Sequence, residues 1–381
     1  MDTSSLSRIK VAVIGAGSFG KNHARAYSEL QIEGAAVELI AVVDADISRA
    51  TEHANKYSIP AYSSVEELLH KAKPDAASVA VPTIHHAAVA RQLMEAAVDV
   101  LIEKPIAATL AQADDILELA AKHNRVGMVG HLERFNPAVR ATIPLLNHPM
   151  FFEVHRLSIF GPRALDVDVV LDLMIHDIDI VLSFAQSPVK EVRAVGLPIL
   201  SSKVDICNVR VEFESGCVAN LTASRVSTER VRKLRFFQPR QYISVDYGRQ
   251  DVLVFSVGQT AEPKADDPRT GVIPAELARL VSKKEVPDPR TGVFSHIDLE
   301  AARQAFSGAA VLAQAGISMT KPAVAQEEPL KAELRAFIKA VRERSVPEVS
   351  LAEGRRALEL GLEILAQVQR HAQKFGLTDL I

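Results

Sequence analysis

The chain has 381 residues, a net charge of −3, and 48% hydrophobic against 24% charged residues. That is soluble-globular composition, long enough for two domains with cores of their own, and its charge gives no reason to expect nucleic acid or an anionic membrane as a partner. Cys207 and Cys217 are the two cysteines and form no C-x-x-C, the opening MDTSSLSRIK lacks the pattern of a signal peptide, and no apolar run reaches membrane-spanning length. A cytoplasmic protein without a disulfide framework is expected.

Ile9–Ile14 (IKVAVI) reads as a strand and runs directly into GAGSFG, residues 15–20. Gly15, Gly17 and Gly20 have G-x-G-x-x-G spacing, with Ser18 and Phe19 between them. The first glycine permits a tight turn, the second lets backbone approach a pyrophosphate, and the third lets the helix pack on the strand. The following helix, Lys21–Leu30, would aim free N–H groups at the phosphates. The second strand, Leu39–Val43, ends at Asp44. An acid there can accept hydrogen bonds from both ribose hydroxyls and would repel a 2′-phosphate, although Arg49 is close in sequence. NAD is therefore expected over NADP; the competing reading makes Asp44 a cap of the next helix.

Ile47–Lys56 and Val65–Ala72 have helical spacing, Ala77–Val81 is strand-like, and VPTIHH (81–86) leads into a helix at His85–Ala97. Val98–Ile102 is the next strand and is followed by Glu103, Lys104 and Pro105; Leu110–His123 and Val126–Val129 complete the alternation. Repeated β-α units predict an α/β Rossmann domain, a doubly wound parallel sheet over residues 1–130. Lys104 falls at the C-terminal end of a parallel strand, where open α/β sheets place ligands. A solvated surface lysine is the common alternative.

From residue 131 the pattern changes. Phe151–Phe160, Glu191–Leu197, Ile206–Glu214, Cys217–Ser224, Val231–Phe237, Tyr242–Tyr247 and Val252–Val257 read as strands joined by short turns. They predict an α+β domain, residues 131–381, with a large, mostly antiparallel open sheet. The helices Leu330–Arg344 and Leu351–Lys374 close the chain and are placed to pack back on the first domain. Residues 259–293 carry DPRTGV twice, read as two loops rather than a flap or an oligomer arm. One helix, Val169–Phe184, interrupts the strands within DVDVVLDLMIHDIDIV (166–181), where five aspartates and a histidine break an apolar run. At about 100° per residue, Asp172, His176 and Asp179 share a face and Asp177 points away. Asp166 and Asp168 precede the helix as possible caps. A metal site would want more ligands than this stripe offers, and a solvent face is at odds with the apolar residues between. Acid–base chemistry remains: a histidine or a lysine of lowered pKa can take a hydroxyl proton.

GAGSFG, Asp44, Pro82-x-x-x-His86, Glu103-Lys104-Pro105 and Asp172-x-x-x-His176-x-x-Asp179 occur in that order over nearly the whole chain. Together they resemble the glucose–fructose oxidoreductase/inositol dehydrogenase (Gfo/Idh/MocA) family. The resemblance implies NAD(P) binding, with Pro82, Thr83, His86, Glu103, Lys104 and Pro105 beside the cofactor and a cis peptide bond before Pro105. It implies oxidation or reduction of a ring hydroxyl, with Lys104, Asp172 and His176 at the catalytic positions; whether Lys104 or His176 is the immediate base stays open. Ala97 and Met174 stand where the family often has glycine, and Met174 is expected to reshape the pocket. GHLERFNPAV (130–139), HRLSIFGPR (155–163) and ANLTASRVSTERVRKLRFFQ (219–238) resemble the UDP-N-acetylglucosamine 3-dehydrogenase branch. That implies a 3-keto nucleotide sugar as product, a homodimer or homotetramer, and an aminotransferase as pathway partner. A diphosphate needs cations, and Arg134, Arg156, Arg163 and Arg225 lie in these segments, though each could equally serve a sheet face or an oligomer contact. Asn136 could bond the sugar or cap the turn before Pro137; Asp179 could orient the catalytic pair or touch substrate. Other sugars, inositols or nucleotide sugar uronates are alternative substrates. From a different class, a non-catalytic NAD-binding sensor has no need of the intact Lys104, Asp172 and His176.

Overall fold

A computed structural model describes residues 7–161, 167–258 and 316–376. Arg163, Asp166 and both DPRTGV copies lie outside the described residues. The first sheet has six parallel strands: β1 (Ile9–Ile14), β2 (Val37–Val43), β3 (Ala61–Tyr62), β4 (Ala76–Val79), β5 (Asp99–Glu103) and β6 (Gly127–Gly130). Their order, β3-β2-β1-β4-β5-β6, is the doubly wound Rossmann arrangement. β4 is buried along its whole length, as an apolar strand covered on both faces must be. Helices α1 (Gly20–Ile32), α2 (Ile47–Asn55), α3 (Val65–Lys71), α4 (His86–Glu95) and α5 (Leu110–Lys122) make the crossovers. Side chains of Asp46, Ser64 and Thr109 cap α2, α3 and α5. Asp46 caps α2, so Asp44 is left for another role.

After the short helix α6 (Pro137–Thr142), the second sheet comprises β7 (Phe151–Ile159), β8 (Val189–Leu197), β9 (Ile206–Phe213), β10 (Val218–Ser227), β11 (Val231–Gln238), β12 (Gln241–Asp246), β13 (Asp251–Val257) and β14 (Ile317–Thr320). By contacts the chain divides into two compact units, the larger being Met1–Pro239, Ser244–Val252 and Pro322–Ile381. Within it the second sheet runs β11-β7-β10-β9-β8. The pairs β8/β9, β9/β10 and β7/β11 are antiparallel. A simple meander would make them all so, but β10 lies parallel to β7, because helix α7 (Ile175–Ala185) and the β8–β9 hairpin come between them in the chain. In the smaller unit, Arg240–Ile243 with Leu253–Lys321, β14 pairs antiparallel with β13.

The C-terminal helices α8 (Pro329–Glu343) and α9 (Leu351–Lys374) belong to the larger unit. Leu330, Leu334, Phe337, Leu351 and Leu358 join Val11, Val13, Leu101 and Met128 in one apolar core. Ser350 and Glu353 form a capping box at the start of α9. No described helix is long and apolar enough to cross a membrane.

Candidate active site

The first strand–helix turn is built as the glycine spacing requires. Gly15 has φ +96°, and a Cβ there would meet the Ala80 carbonyl oxygen at 2.5 Å; a Cβ on Gly20 would lie 1.7 Å from the Gly15 oxygen. Both positions admit only glycine. Around Gly17 nothing lies within 4 Å of a built Cβ. No side chain caps α1, and the Lys21 and Asn22 N–H groups turn back to the Gly17 and Phe19 carbonyls. Ser18 and Phe19 are exposed at this turn. Asp44 folds back on the loop: Oδ2 accepts the Ala16 N–H at 2.7 Å and Oδ1 accepts the Asp46 N–H at 2.9 Å. Arg49 Nη1 stands 3.6 Å from Asp44 Oδ1. Open space above Gly17, an uncapped helix start and a strand-end acid fit a dinucleotide.

Pro82 is exposed and Thr83 half-buried in the turn after β4. His86 is buried and bridges two loops, Nδ1 lying 2.9 Å from the Pro105 carbonyl and Nε2 3.0 Å from that of Val81. It ties the ends of β4 and β5 together. Glu103 likewise turns inward, Oε1 sitting 2.8 Å from His23 Nε2. The Lys104–Pro105 bond is cis, as the resemblance implies. Ala97 has φ +66°, which explains why a glycine suits that position.

Lys104 leaves the end of β5 toward Asp172. Its Nζ donates to the Asp172 backbone carbonyl at 2.6 Å and lies 3.7 Å from the Asp172 carboxylate. Burial lowers the Lys104 pKa from its ordinary value, and the charges of Asp172 and Glu103 oppose that fall. The segment carrying Asp172 is not the uniform α-helix expected from the spacing. Val170–Met174 is a π-turn, and the α-helix proper begins at Ile175. Such widened turns shift side-chain register and often lie at functional sites. His176 follows in the first turn of α7; burial first, then the charges of Lys104 and Arg156, lower its pKa well below the ordinary value. Lys104, Asp172 and His176 therefore converge. Met174 is fully buried. Asp168 caps nothing here: its carboxylate accepts the Val204 N–H at 2.9 Å.

The remaining polar residues singled out from the sequence have partners within the protein. Asp179, 2% exposed, receives Arg134 Nε at 2.7 Å, and Arg134 also reaches Glu353 at 2.8 Å. Arg156, 3% exposed, makes two bonds to Asp177 at 2.6 and 2.9 Å and one to Glu133 at 3.0 Å. Arg225 is buried, bonds the Val167 carbonyl and lies 3.6 Å from Asp205. Asn136 caps α6 through Ala138 N–H and donates to the Tyr247 carbonyl at 3.1 Å. Buried guanidinium groups need matching carboxylates or carbonyls; Arg156 and Arg225 are held in the interior by theirs, and Arg134 is half-buried.

Two residues escaped the sequence reading. His131 is 1% exposed at the end of β6, and neither ring nitrogen has a hydrogen-bond partner. Lys104 and Asp179 both act electrostatically on it, as it does on His176. Arg232 is exposed on β11, its charge felt by His176. His131 gives no periodic or spacing signal. Arg232 was one cation among several in a basic strand, and only its pairing opposite Arg156 of β7 sets it apart.

Comparison with known proteins agrees with this geometry. The model for an oxidoreductase family with an NAD-binding Rossmann fold matches residues 9–131, and that for a Gfo/Idh/MocA C-terminal domain matches residues 146–243. UDP-N-acetylglucosamine 3-dehydrogenase of Acidithiobacillus ferrooxidans is 36% identical over 256 residues, covering 67% of this chain and 79% of the relative. An inositol 2-dehydrogenase of Acidothermus cellulolyticus is 32% identical over 49% of this chain and 56% of its own. Among solved structures, the Acidithiobacillus ferrooxidans UDP-N-acetylglucosamine 3-dehydrogenase superposes with a TM-score of 0.76 at 28% identity, over 96% of this chain and 99% of that one.

Proposed function

The chain belongs to the Gfo/Idh/MocA oxidoreductase family, and we propose that it oxidises a ring hydroxyl of a nucleotide sugar, the C3 hydroxyl of UDP-N-acetylglucosamine, with NAD⁺. The observation that carries this reading is Lys104, buried at the end of β5 with its amine 2.6 Å from the Asp172 carbonyl and beside His176. Likeness to the Acidithiobacillus ferrooxidans enzyme over 79% of that relative supports the choice of sugar.

Gly15, Gly17, Gly20 and the start of α1 would hold the pyrophosphate. Asp44 would take the ribose hydroxyls, and its charge, only partly met by Arg49 at 3.6 Å, disfavours a 2′-phosphate. Bound NAD⁺ supplies a hydride acceptor; this chain's residues manage the proton. Lys104 suits the role of immediate base, because burial brings its amine toward the pH at which it can accept a proton. His176 stays neutral and serves as a hydrogen-bonding partner to the same hydroxyl. Asp172 steadies the ammonium once formed, through its carbonyl and its carboxylate. Arg232, exposed and with its charge felt by His176, would meet a diphosphate. A 3-keto sugar is a substrate for amino transfer, so an aminotransferase is the partner this product calls for. Exposed Val195, Leu197, Ile199 and Leu200 at and after β8 support a homodimer or homotetramer.

A free sugar or cyclitol is the second reading. It is favoured by the interior pairing of Arg134, Arg156 and Arg225, which removes them as diphosphate contacts. The test is NADH formation followed by absorbance, with UDP-N-acetylglucosamine, myo-inositol and glucose compared, and mass spectrometry of the product. Turnover of UDP-N-acetylglucosamine with loss of two hydrogens is expected. Turnover of myo-inositol or glucose alone would install the second reading, and NAD binding without turnover of any would favour a sensor.

A further inference from the structure

Behind Lys104 lies a second cluster of titratable groups with no part in the chemistry above. His23 on α1, Glu103 at the end of β5 and Glu333 on α8 bring one nitrogen and two carboxyl oxygens within 4.8 Å of one another. Glu333 is 0% exposed and neither of its carboxyl oxygens has a hydrogen-bond partner. Glu103 is served better, since its Oε1 lies 2.8 Å from His23 Nε2. That carboxylate only accepts, which places the ring proton on Nε2 and leaves Nδ1 without a partner. Gly130 makes room for the arrangement, because a Cβ there would stand 3.1 Å from Glu103 Oε1.

Two carboxylates this close in a buried setting do not both ionise. The charge settles where a donor meets it, on Glu103, and the proton settles where none does, on Glu333. Burial and the Glu103 charge both push the Glu333 carboxyl well above its ordinary range. Burial works against charge on Glu103 as well, but the His23 hydrogen bond and the nearby Lys104 hold its carboxyl below the usual range. A divalent cation is the other occupant such a trio could suggest. Structural zinc sites close their shell with four protein ligands, and here three are grouped.

We propose that Glu333 keeps its proton, so that the His23–Glu103–Glu333 cluster carries its carboxylate charge on Glu103 alone, one residue before Lys104. This builds on the reading of Lys104 as a proton acceptor. Lys104 is faced by Glu103 from β5, Asp172 from the π-turn, His176 from α7, His131 from the end of β6 and Arg156 from β7. Glu333 is faced by Glu103, His23 and the Tyr27 hydroxyl, which is bonded to Ser78 at 2.9 Å. The charges of Asp172 and Glu103 partly offset the burial of the lysine; a third, on Glu333, would hold its proton more firmly than suits a base. Helix α8 thereby adds a carboxyl to the cluster without adding a charge beside Lys104.

The test uses the full chain without substrate or cofactor, so its failure is separate from a wrong substrate assignment. The pH dependence of Lys104 labelling by a small amine reagent, read by peptide mass spectrometry, is compared for wild type, E333Q and E103Q. E333Q should leave the midpoint unchanged, since a neutral amide replaces a neutral acid. E103Q should move it to lower pH, since the ammonium loses a negative neighbour. An infrared band of a protonated buried carboxyl, present in wild type near neutral pH, should weaken in E333Q. A midpoint displaced by E333Q as far as by E103Q, a band untouched by E333Q, or a stoichiometric divalent metal in the purified protein would overturn the proposal. If either variant does not fold, the wild-type infrared spectrum decides, because absence of any such band refutes a neutral Glu333.

Discussion

Replacing Arg156 by Met separates a structural arginine from a substrate-binding one. The guanidinium is 3% exposed, bonded twice to Asp177 and once to Glu133, and stacked 5.1 Å from the Tyr247 ring centroid. Burial alone would favour its neutral form, yet the two carboxylates raise its pKa further and keep it charged. R156M leaves Asp177, itself 2% exposed, without a counter-charge. Removing one partner of such a buried pair costs about 3–5 kcal/mol, a large fraction of a typical domain stability of about 5–15 kcal/mol. The variant should show a lower urea midpoint and melting temperature. The double variant R156M/D177L should recover part of the loss, because the buried Asp177 charge is gone, while half-buried Glu133 loses its arginine but keeps the Asn136 hydrogen bond. By contrast R232A, on an exposed cation, should leave the melting temperature unchanged and raise KM for UDP-N-acetylglucosamine about tenfold, or about 1.4 kcal/mol. An R156M protein of normal stability whose KM for the nucleotide sugar rises would refute the reasoning and return Arg156 to the diphosphate.

G17A should fold normally, since the space above it is open, and should weaken NAD binding in calorimetry at least tenfold, about 1.4 kcal/mol; G20A should lose about 3 kcal/mol or more, because its Cβ would overlap the Gly15 carbonyl. Equal behaviour of the two would contradict the loop geometry. K104M should lower kcat by about 10²–10⁴ with NAD affinity retained, and an active K104M would move the base to His176. D205N tests a buried carboxylate that accepts the N–H groups of Ile199, Leu200 and Ser201 at 2.8, 2.6 and 2.9 Å. Burial opposes its charge, yet these bonds hold its pKa down at about 2 against an ordinary 3.8. Because the folded pKa is depressed, its stabilisation of about 2 kcal/mol is full above about pH 4 and fades as pH falls toward 2. Wild type and D205N should therefore differ most near pH 7 and converge in acid, as read by urea unfolding against pH.

The Rossmann half was legible because its signals are local. A strand, three glycines and a strand-end acid lie within Ile9–Asp44, and each is fixed by neighbours a few residues away. Lys104, Asp172 and His176 were legible as an ordered set, and the structure brings them together. The arginines were not, because an isolated Arg in a strand reads the same whether it meets a substrate or a carboxylate. Only tertiary pairing shows that Arg134 belongs to Asp179 and Glu353, and Arg156 to Asp177 and Glu133. Asp179 is a similar case: helical spacing places it on the face of His176 and cannot show its Arg134 partner, 45 residues earlier. The π-turn at Val170–Met174 leaves no trace in hydrophobic periodicity, and the parallel β7/β10 pair is a choice of topology that strand patterns do not encode.

The paired arginines also explain how Asp177 and Asp179 can both sit on one short helix. Asp177 and Asp179 are neutralised from β7 and from the turn after β6, so neither charge reaches the reacting groups unmatched. Asp168 is spent on a backbone N–H. Asp172, partly exposed, differs from all three in facing an amine whose own pKa burial has lowered. The widened turn presents its carbonyl as well as its carboxylate to Lys104, so the lysine meets one neutral and one charged acceptor from a single residue. A neutral carbonyl binds the ammonium without the full proton-retaining force of a second carboxylate. That division keeps the amine anchored while leaving its proton exchangeable, which a base that takes one proton per turnover requires.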